Sequence, residues 1–209
     1  MRSGWVLFAG LFLVAQQPLL AADDSVDDNH WASDYDHYFI KYTKRYFGPA
    51  FNWRWFKAQA IAESNLDPHT RSDAGALGLM QLLPTTYREI KESNPHFKSI
   101  TDPEWNIAAG IYYDRTLYRK WRDPLPDQDR LMLSFASYNA GYVRIRRAYK
   151  RAETKEDNLE SWQQVKDYVP GETRHYVHKI KALVEGQEDR NYRRLKGLEK
   201  YLAANNEDY

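Results

Sequence analysis

Glu63 is the residue whose type and position best suit chemistry, because it ends a helical stripe directly before a glycine-bearing loop. From Asn52 to Ala62, the residues Trp53, Phe56 and Ala60 recur at helical spacing, and the next position on that stripe is Glu63. A carboxyl group thus stands where another apolar side chain would extend the face. Partial burial there disfavours the ionised form, raises the pKa and suits a proton donor near neutral pH. The alternative is a glutamate that only emerges into solvent at a helix end.

The following loop adds to the case. Asp67-Pro68 and Asp73-Ala74-Gly75 are turn signals, and Gly75 and Gly78 permit close approach of backbone to a ligand or to another segment. Gln81 stands between Met80 and Leu82-Leu83, an amide in apolar surroundings that needs partners for both its donor and its acceptor. A sugar supplies both. A structural amide tying the loop to backbone is an equally good reading.

The same stretch resembles the catalytic signature of the SLT-type lytic transglycosylases of the lysozyme-like superfamily. The resemblance rests on Glu63-Ser64, Asp67-Pro68, Ser72, Ala74-Gly75-Ala76, Gly78-Leu79-Met80-Gln81 and Pro84-Thr85-Thr86. Three more segments follow in the family's order: Asn106-Ile107 with Gly110 and Tyr113, then Ser137 to Gly141, then Pro170 with Glu172-Thr173 and Tyr176-Val177. Ordered matches over about 115 residues are far more specific than any one of them. One departure is Phe135-Ala136-Ser137 before Tyr138, where many relatives carry smaller alanine-rich residues.

What the resemblance implies is a mainly α, lysozyme-like (goose-type/SLT) helical domain with a catalytic cleft and at most a very small β element. It implies that Glu63 protonates the oxygen joining N-acetylmuramic acid to N-acetylglucosamine while the substrate's acetamido group stabilises the cation. Glu63 would then take the proton of the muramic 6-hydroxyl as it closes on the anomeric carbon, giving a 1,6-anhydro end without water. An internal nucleophile has a high effective concentration, so no second carboxylate is required. Gln81 and Tyr138 match positions lining the cleft around the scissile bond; Ser72, Met80, Asn139 and Glu172 match positions that shape or support it. No metal or organic cofactor is implied. A goose-type lysozyme that lets water attack, and a non-catalytic wall-binding or assembly factor, are the competing readings.

The elements that must position these residues are helices. Asp102 as N-cap and Pro103 at the first helical position open one that carries Trp105, Ala108, Ala109, Tyr112 and Thr116 on one face. Leu131, Phe135 and Tyr138 mark a second, which stops at Ala140-Gly141. After Pro170 a third shows Thr173, Tyr176, Val177, Ile180 and Val184 on one stripe, with Glu172 in a first turn where the helix dipole alone would favour a carboxylate. No alternating run is long enough for a substantial sheet.

The 209 residues suffice for one well-buried domain. Arg2, the apolar run Trp5 to Ala15, and Leu19-Leu20-Ala21-Ala22 before Asp23-Asp24 read as a secretory signal peptide over residues 1–22, with an uncleaved membrane anchor as the alternative. An acidic leader over 23–36, a catalytic domain over 37–186 and a polar helical tail over 187–209, through Leu195, Leu198 and Leu202, complete the expected organisation. Removing Arg2 leaves 29 basic against 29 acidic residues, which offers no support for nucleic-acid binding. The cluster Arg144, Arg146, Arg147, Lys150 and Arg151 reads as a solvated helix face that peptidoglycan's acidic stem peptides could still meet.

The chain has no cysteine, so disulfides, thiolate metal sites and a lipid-modified cysteine are excluded. His175 and His178 with Glu172 lack the i, i+4 histidine pair of a zinc helix. Seven Trp and 16 Tyr provide flat, polar-tipped side chains of the kind that suit sugar rings, although most belong to the core. An exported, periplasmic enzyme acting on peptidoglycan fits these features. Whether it serves general wall turnover or cell-envelope machinery such as a secretion system, pilus or flagellum is left open.

Overall fold

The computed structural model describes residues 31–121, 125–155 and 158–205, with side chains placed as far as residue 197. The expected signal peptide, and the leader as far as residue 30, lie outside the described residues. Among the described residues eight α-helices follow in order: α1 (Asp36–Tyr46), α2 (Arg54–Ser64), α3 (Pro84–Ser93), α4 (Pro103–Lys120), α5 (Asp127–Ala140), α6 (Tyr142–Glu153), the short α7 (Trp162–Val165) and α8 (Gly171–Asn205). Among the described residues, β pairing amounts to isolated bridges joining Arg71 to Leu77 and Leu77 to Leu82. The structure is thus mainly α with a minimal β element, as the sequence leads one to expect.

Local chemistry sets the helix ends that matter for the site. Asp102 accepts a hydrogen bond from the Glu104 amide at 2.9 Å, with Pro103 next in line, so α4 begins with both of its sequence signals satisfied. Gly141, at φ 84°, ends α5 and leads straight into α6. Asn65 closes α2 in the left-handed conformation at φ 55°, and Leu66 follows at φ 62°. Two consecutive left-handed residues turn the chain sharply away from Glu63 and into the loop.

α2 sits at the centre. Phe56, Ala58, Ala60 and Ile61 are all buried, which uses more of the helix surface than the single stripe read from the sequence. It packs on α8, while α5 meets α4, α6 and α8, and α1 lies on α4 and α2. Lys57 is 2% exposed and pairs with Asp36, and it also donates to the Trp31 carbonyl at 3.1 Å. The last residues of the acidic leader are therefore held against α2. A buried ammonium requires such partners.

The stripe Thr173, Tyr176, Val177, Ile180 and Val184 is buried along α8. Gly186 does not interrupt this helix, and the polar segment beyond it continues the same element instead of forming a separate one. A lone glycine costs only about 1 kcal/mol in a helix, which adjoining turns offset. Leu195 is 60% exposed, so this position of the expected stripe does not join the core. Among the described residues no helix is long and apolar enough to cross a membrane.

Candidate active site

Glu63 occupies the last turn of α2, half-buried, and the Tyr176 hydroxyl donates to its Oε1 at 2.6 Å. Burial pushes its carboxyl up to about 7; the Tyr176 hydrogen bond and the Lys179 charge hold it from rising further. A carboxylic acid with that pKa can give up a proton near neutrality and take one back. Tyr176 was legible as a core residue and as part of a motif, but not as the partner of Glu63. A tyrosine on a buried stripe needs a partner for its hydroxyl, which is the signal that points to such a role.

The loop after α2 is held by side chains that leave Glu63 alone. Ser64 donates to the Ala60 and Leu79 carbonyls at 3.2 and 2.9 Å, fastening the helix end to the loop. Asn106 of α4 is the main anchor: its Nδ2 donates to the Leu77 and Ile100 carbonyls, and its Oδ1 accepts from the Met80 amide at 2.8 Å. The glycines follow from this packing. A Cβ on Gly78 would meet Asn106 at 2.6 Å, and one on Gly110 would meet the Met80 side chain at 2.7 Å. At Gly78 the close approach is therefore to another segment of the protein.

The expected site residues divide by what they touch. Tyr138, at the end of α5, donates to the Met80 carbonyl at 2.7 Å, and its ring lies 5.3 Å from that of Tyr113. Tyr138 and Tyr176 both feel the Glu63 charge, and burial raises both phenols well above their ordinary range, so they act as neutral donors. Met80 is fully buried and supports the loop. Gln81, at φ 43°, donates to the Thr70 and Gly78 carbonyls at 3.0 and 2.9 Å, which is the structural-amide reading. Its amide oxygen keeps its acceptor capacity for a ligand hydroxyl.

Asn139 accepts from the Thr173 hydroxyl at 2.7 Å and so joins the end of α5 to the start of α8. Ser72 accepts from the Ala76 amide at 3.0 Å and shapes the loop's reverse turn; no contact brings it to Glu63. Glu172 lies in the first turn of α8, exposed, with its carboxylate 3.9 Å from Arg144. The structure thus gathers Glu63 and Tyr176 directly, Tyr138 and Met80 at the neighbouring wall, and leaves Ser72 and Glu172 at the periphery.

A second carboxyl group went unnoticed in the sequence. Asp114 of α4 is fully buried, and Gln59 of α2 donates to its Oδ1 at 3.4 Å. Asp114 Oδ2 and Gln59 Oε1 have no hydrogen-bond partner. A proton on Asp114 provides the donor that these two oxygens lack, and burial together with the charge of Glu63 drives its pKa well above the carboxylate range. This group is neutral and sealed from solvent. It cannot activate a water molecule for attack on a bound sugar.

Comparisons with known proteins give the family and the fold. The Transglycosylase SLT domain family model matches residues 37–161. The membrane-bound lytic murein transglycosylase F of Shewanella woodyi is 32% identical over 149 residues, covering 70% of this chain and 30% of that protein. The crystal structure of the 70 kDa soluble lytic transglycosylase of Escherichia coli superposes with a TM-score of 0.60 at 28% identity, over 73% of this chain and 24% of that one. An inactive mutant of the Pseudomonas aeruginosa lytic transglycosylase Slt shares the fold at a TM-score of 0.62 and 23% identity, over 76% and 25% of the two chains. The chain spans under a third of the length of each of these proteins. With a lysozyme-like helical fold and a family match that covers more than half of its length, the chain belongs to the transglycosylase SLT domain family.

Proposed function

We propose that this protein is a peptidoglycan lytic transglycosylase with Glu63 as its single acid and base. The observation that carries the reading is the contrast at the site: one half-buried carboxyl held by Tyr176 with its pKa at about 7, and one sealed carboxyl, Asp114, that cannot serve water. Protonated Glu63 gives its proton to the glycosidic oxygen as the bond to the anomeric carbon breaks, and the acetamido group of the muramic ring stabilises the cation. The muramic 6-hydroxyl then bonds to the anomeric carbon and its proton returns to Glu63. The products are a free N-acetylglucosamine hydroxyl and a 1,6-anhydromuramic end, and water is neither consumed nor released.

In this reading Tyr138 and the free oxygen of Gln81 orient the sugar, while Met80, Ser72 and Asn139 hold the loop and helix ends, and Glu172 borders the site. The catalytic unit spans residues 37–186. The substrate lies outside the cytoplasmic membrane, so residues 1–22 act as an export signal, and N-terminal sequencing of envelope material checks for a start near Ala22 or Asp23.

Digestion of peptidoglycan in isotopically heavy water tests the chemistry. The new muramic end should carry no heavy oxygen, lack a reducing group and weigh one water less than a hydrolytic product. Heavy oxygen at that end would convert the reading to a lysozyme.

A further inference from the structure

One exposed cation stands beside the acid/base centre. α2 and α8 run antiparallel: the Tyr176 hydroxyl meets Glu63 in the last turn of α2, and Asn52, just before α2 begins, donates to Glu188 at 3.3 Å. Lys179 lies at i+3 from Tyr176, so it is the neighbour of Tyr176 on the same edge of α8, roughly 4.5 Å along the axis. Val177 and Ile180 are buried on either side of it in sequence, which fixes the backbone that carries it. Tyr176 is buried and Lys179 exposed, so the ammonium stands at the rim of the site whose inner wall Tyr176 forms.

The other cations of this region are engaged elsewhere. Lys181 pairs with Glu185 at 3.2 Å and Arg174 with Asp167 at 3.3 Å, while Arg144 approaches Glu172 at 3.9 Å. Among the described residues Lys179 forms no such ion pair, and the carboxyl group its charge acts on is Glu63. From the elements packed around Glu63 come Asp114 of α4 and the Tyr138 phenol of α5, and α8 adds the Tyr176 phenol; burial keeps all three neutral. His175 and His178 of α8 are exposed and do not bear on it. Lys179 is thus the one full charge that acts on Glu63 among the described residues.

We propose that Lys179 is a positioning residue for the acid/base step: its ammonium steadies the Glu63 carboxylate left by proton donation and ties the working range of the enzyme to the salt around it. The claim rests on the reading of Glu63 as acid and base. A cation beside a carboxylate favours proton release and opposes proton return. Lys179 therefore assists the bond-breaking step and limits how far above neutrality Glu63 remains an acid. Because the ammonium is exposed, salt weakens its hold, with a Debye length of about 8 Å at physiological ionic strength and about 3 Å in molar salt. Rising ionic strength thus carries the acid form of Glu63 to higher pH. The Tyr176 hydrogen bond, which is buried, is screened much less.

The test follows the Glu63 carboxyl directly, by NMR titration of the full chain carrying isotope-labelled glutamate, with its signal assigned by its loss in Glu63→Gln, and measures turnover on peptidoglycan alongside. Lys179→Gln should move the midpoint up by roughly half a pH unit and raise turnover at about pH 8 roughly threefold. Lys179→Arg should restore the parent midpoint, and Lys179→Glu should move it further up. Molar salt should shift the parent upward by a similar amount and Lys179→Gln hardly at all. An unmoved midpoint in Lys179→Gln, or a salt shift of equal size in both proteins, overturns the role. A protein that cuts no glycan while its Glu63 midpoint follows Lys179 loses the transglycosylase reading and keeps the coupling. One whose turnover depends on Glu63 and ignores Lys179 does the reverse.

Discussion

Glu63 and Asp114 are carboxyl groups on neighbouring helices, close enough for Asp114 to feel the charge of Glu63, yet their surroundings assign them opposite work. Glu63 keeps a path to solvent and accepts from Tyr176; Asp114 is sealed and accepts from the Gln59 amide. Desolvation raises both. The difference between them is access and hydrogen bonding, so one titrates near neutrality and the other stays a neutral structural acid.

The sharpest way to break this comparison is Glu63→Gln, which should leave circular dichroism unchanged and lower turnover by at least about a hundredfold. Activity within a few-fold of the parent would remove Glu63 from the acid/base role. The same variant should be more stable at high pH. A carboxyl raised to about 7 in the folded state favours folding while protonated, and that contribution is lost as pH climbs from about 4.5 through 7. Above pH 8 the loss is on the order of 3 kcal/mol, which denaturant melts of parent and variant at pH 5 and pH 8 would show as a pH-dependent gap.

Asp114 should respond in the opposite sense. Asp114→Ala strands the Gln59 amide in the core and should cost about 2 kcal/mol of stability, whereas Asp114→Asn preserves a donor and an acceptor and should cost clearly less. Per folded molecule, both should retain turnover within about tenfold, since the group does not reach substrate. A hundredfold loss in Asp114→Asn would place it in the chemistry.

Turnover itself should hold below pH 7 and fall about tenfold per unit above it as Glu63 loses its proton. Tyr176→Phe removes a hydrogen bond that lowers the Glu63 pKa, so the falling limb should move to higher pH. A profile that stays in place would mean that Tyr176 does not tune Glu63. The smallest effect belongs to the end of α8. Removing residues 191–209 takes away Tyr192 and Leu195, which are 63% and 60% exposed, and should change stability by less than about 0.5 kcal/mol.

Much of the frame was legible because it is local. Asp102-Pro103, Gly141 and the stripe from Thr173 to Val184 act within a few residues, and each marks the element that forms. Glu63 at the end of a helix, before a loop with glycines, was legible for the same reason. Gln81 was ambiguous, because an amide between apolar neighbours needs partners but does not say which; the fold gives its donor to two loop carbonyls. Leu195 misled, since a periodic position does not guarantee a surface to pack on.

By itself, then, the sequence determined which residue types can do chemistry, where α4 and α8 begin and where α2 and α5 end, and the order of the motifs along the chain. Caps, turns and periodicity are short-range energies, and they are present before the chain closes. Only the tertiary structure decided that Tyr176, 113 residues away, meets Glu63, that Tyr138 holds the Met80 carbonyl, and that Asp114 is dry. A pKa depends on desolvation and on charges a few ångströms away, and neither exists until distant segments are packed together.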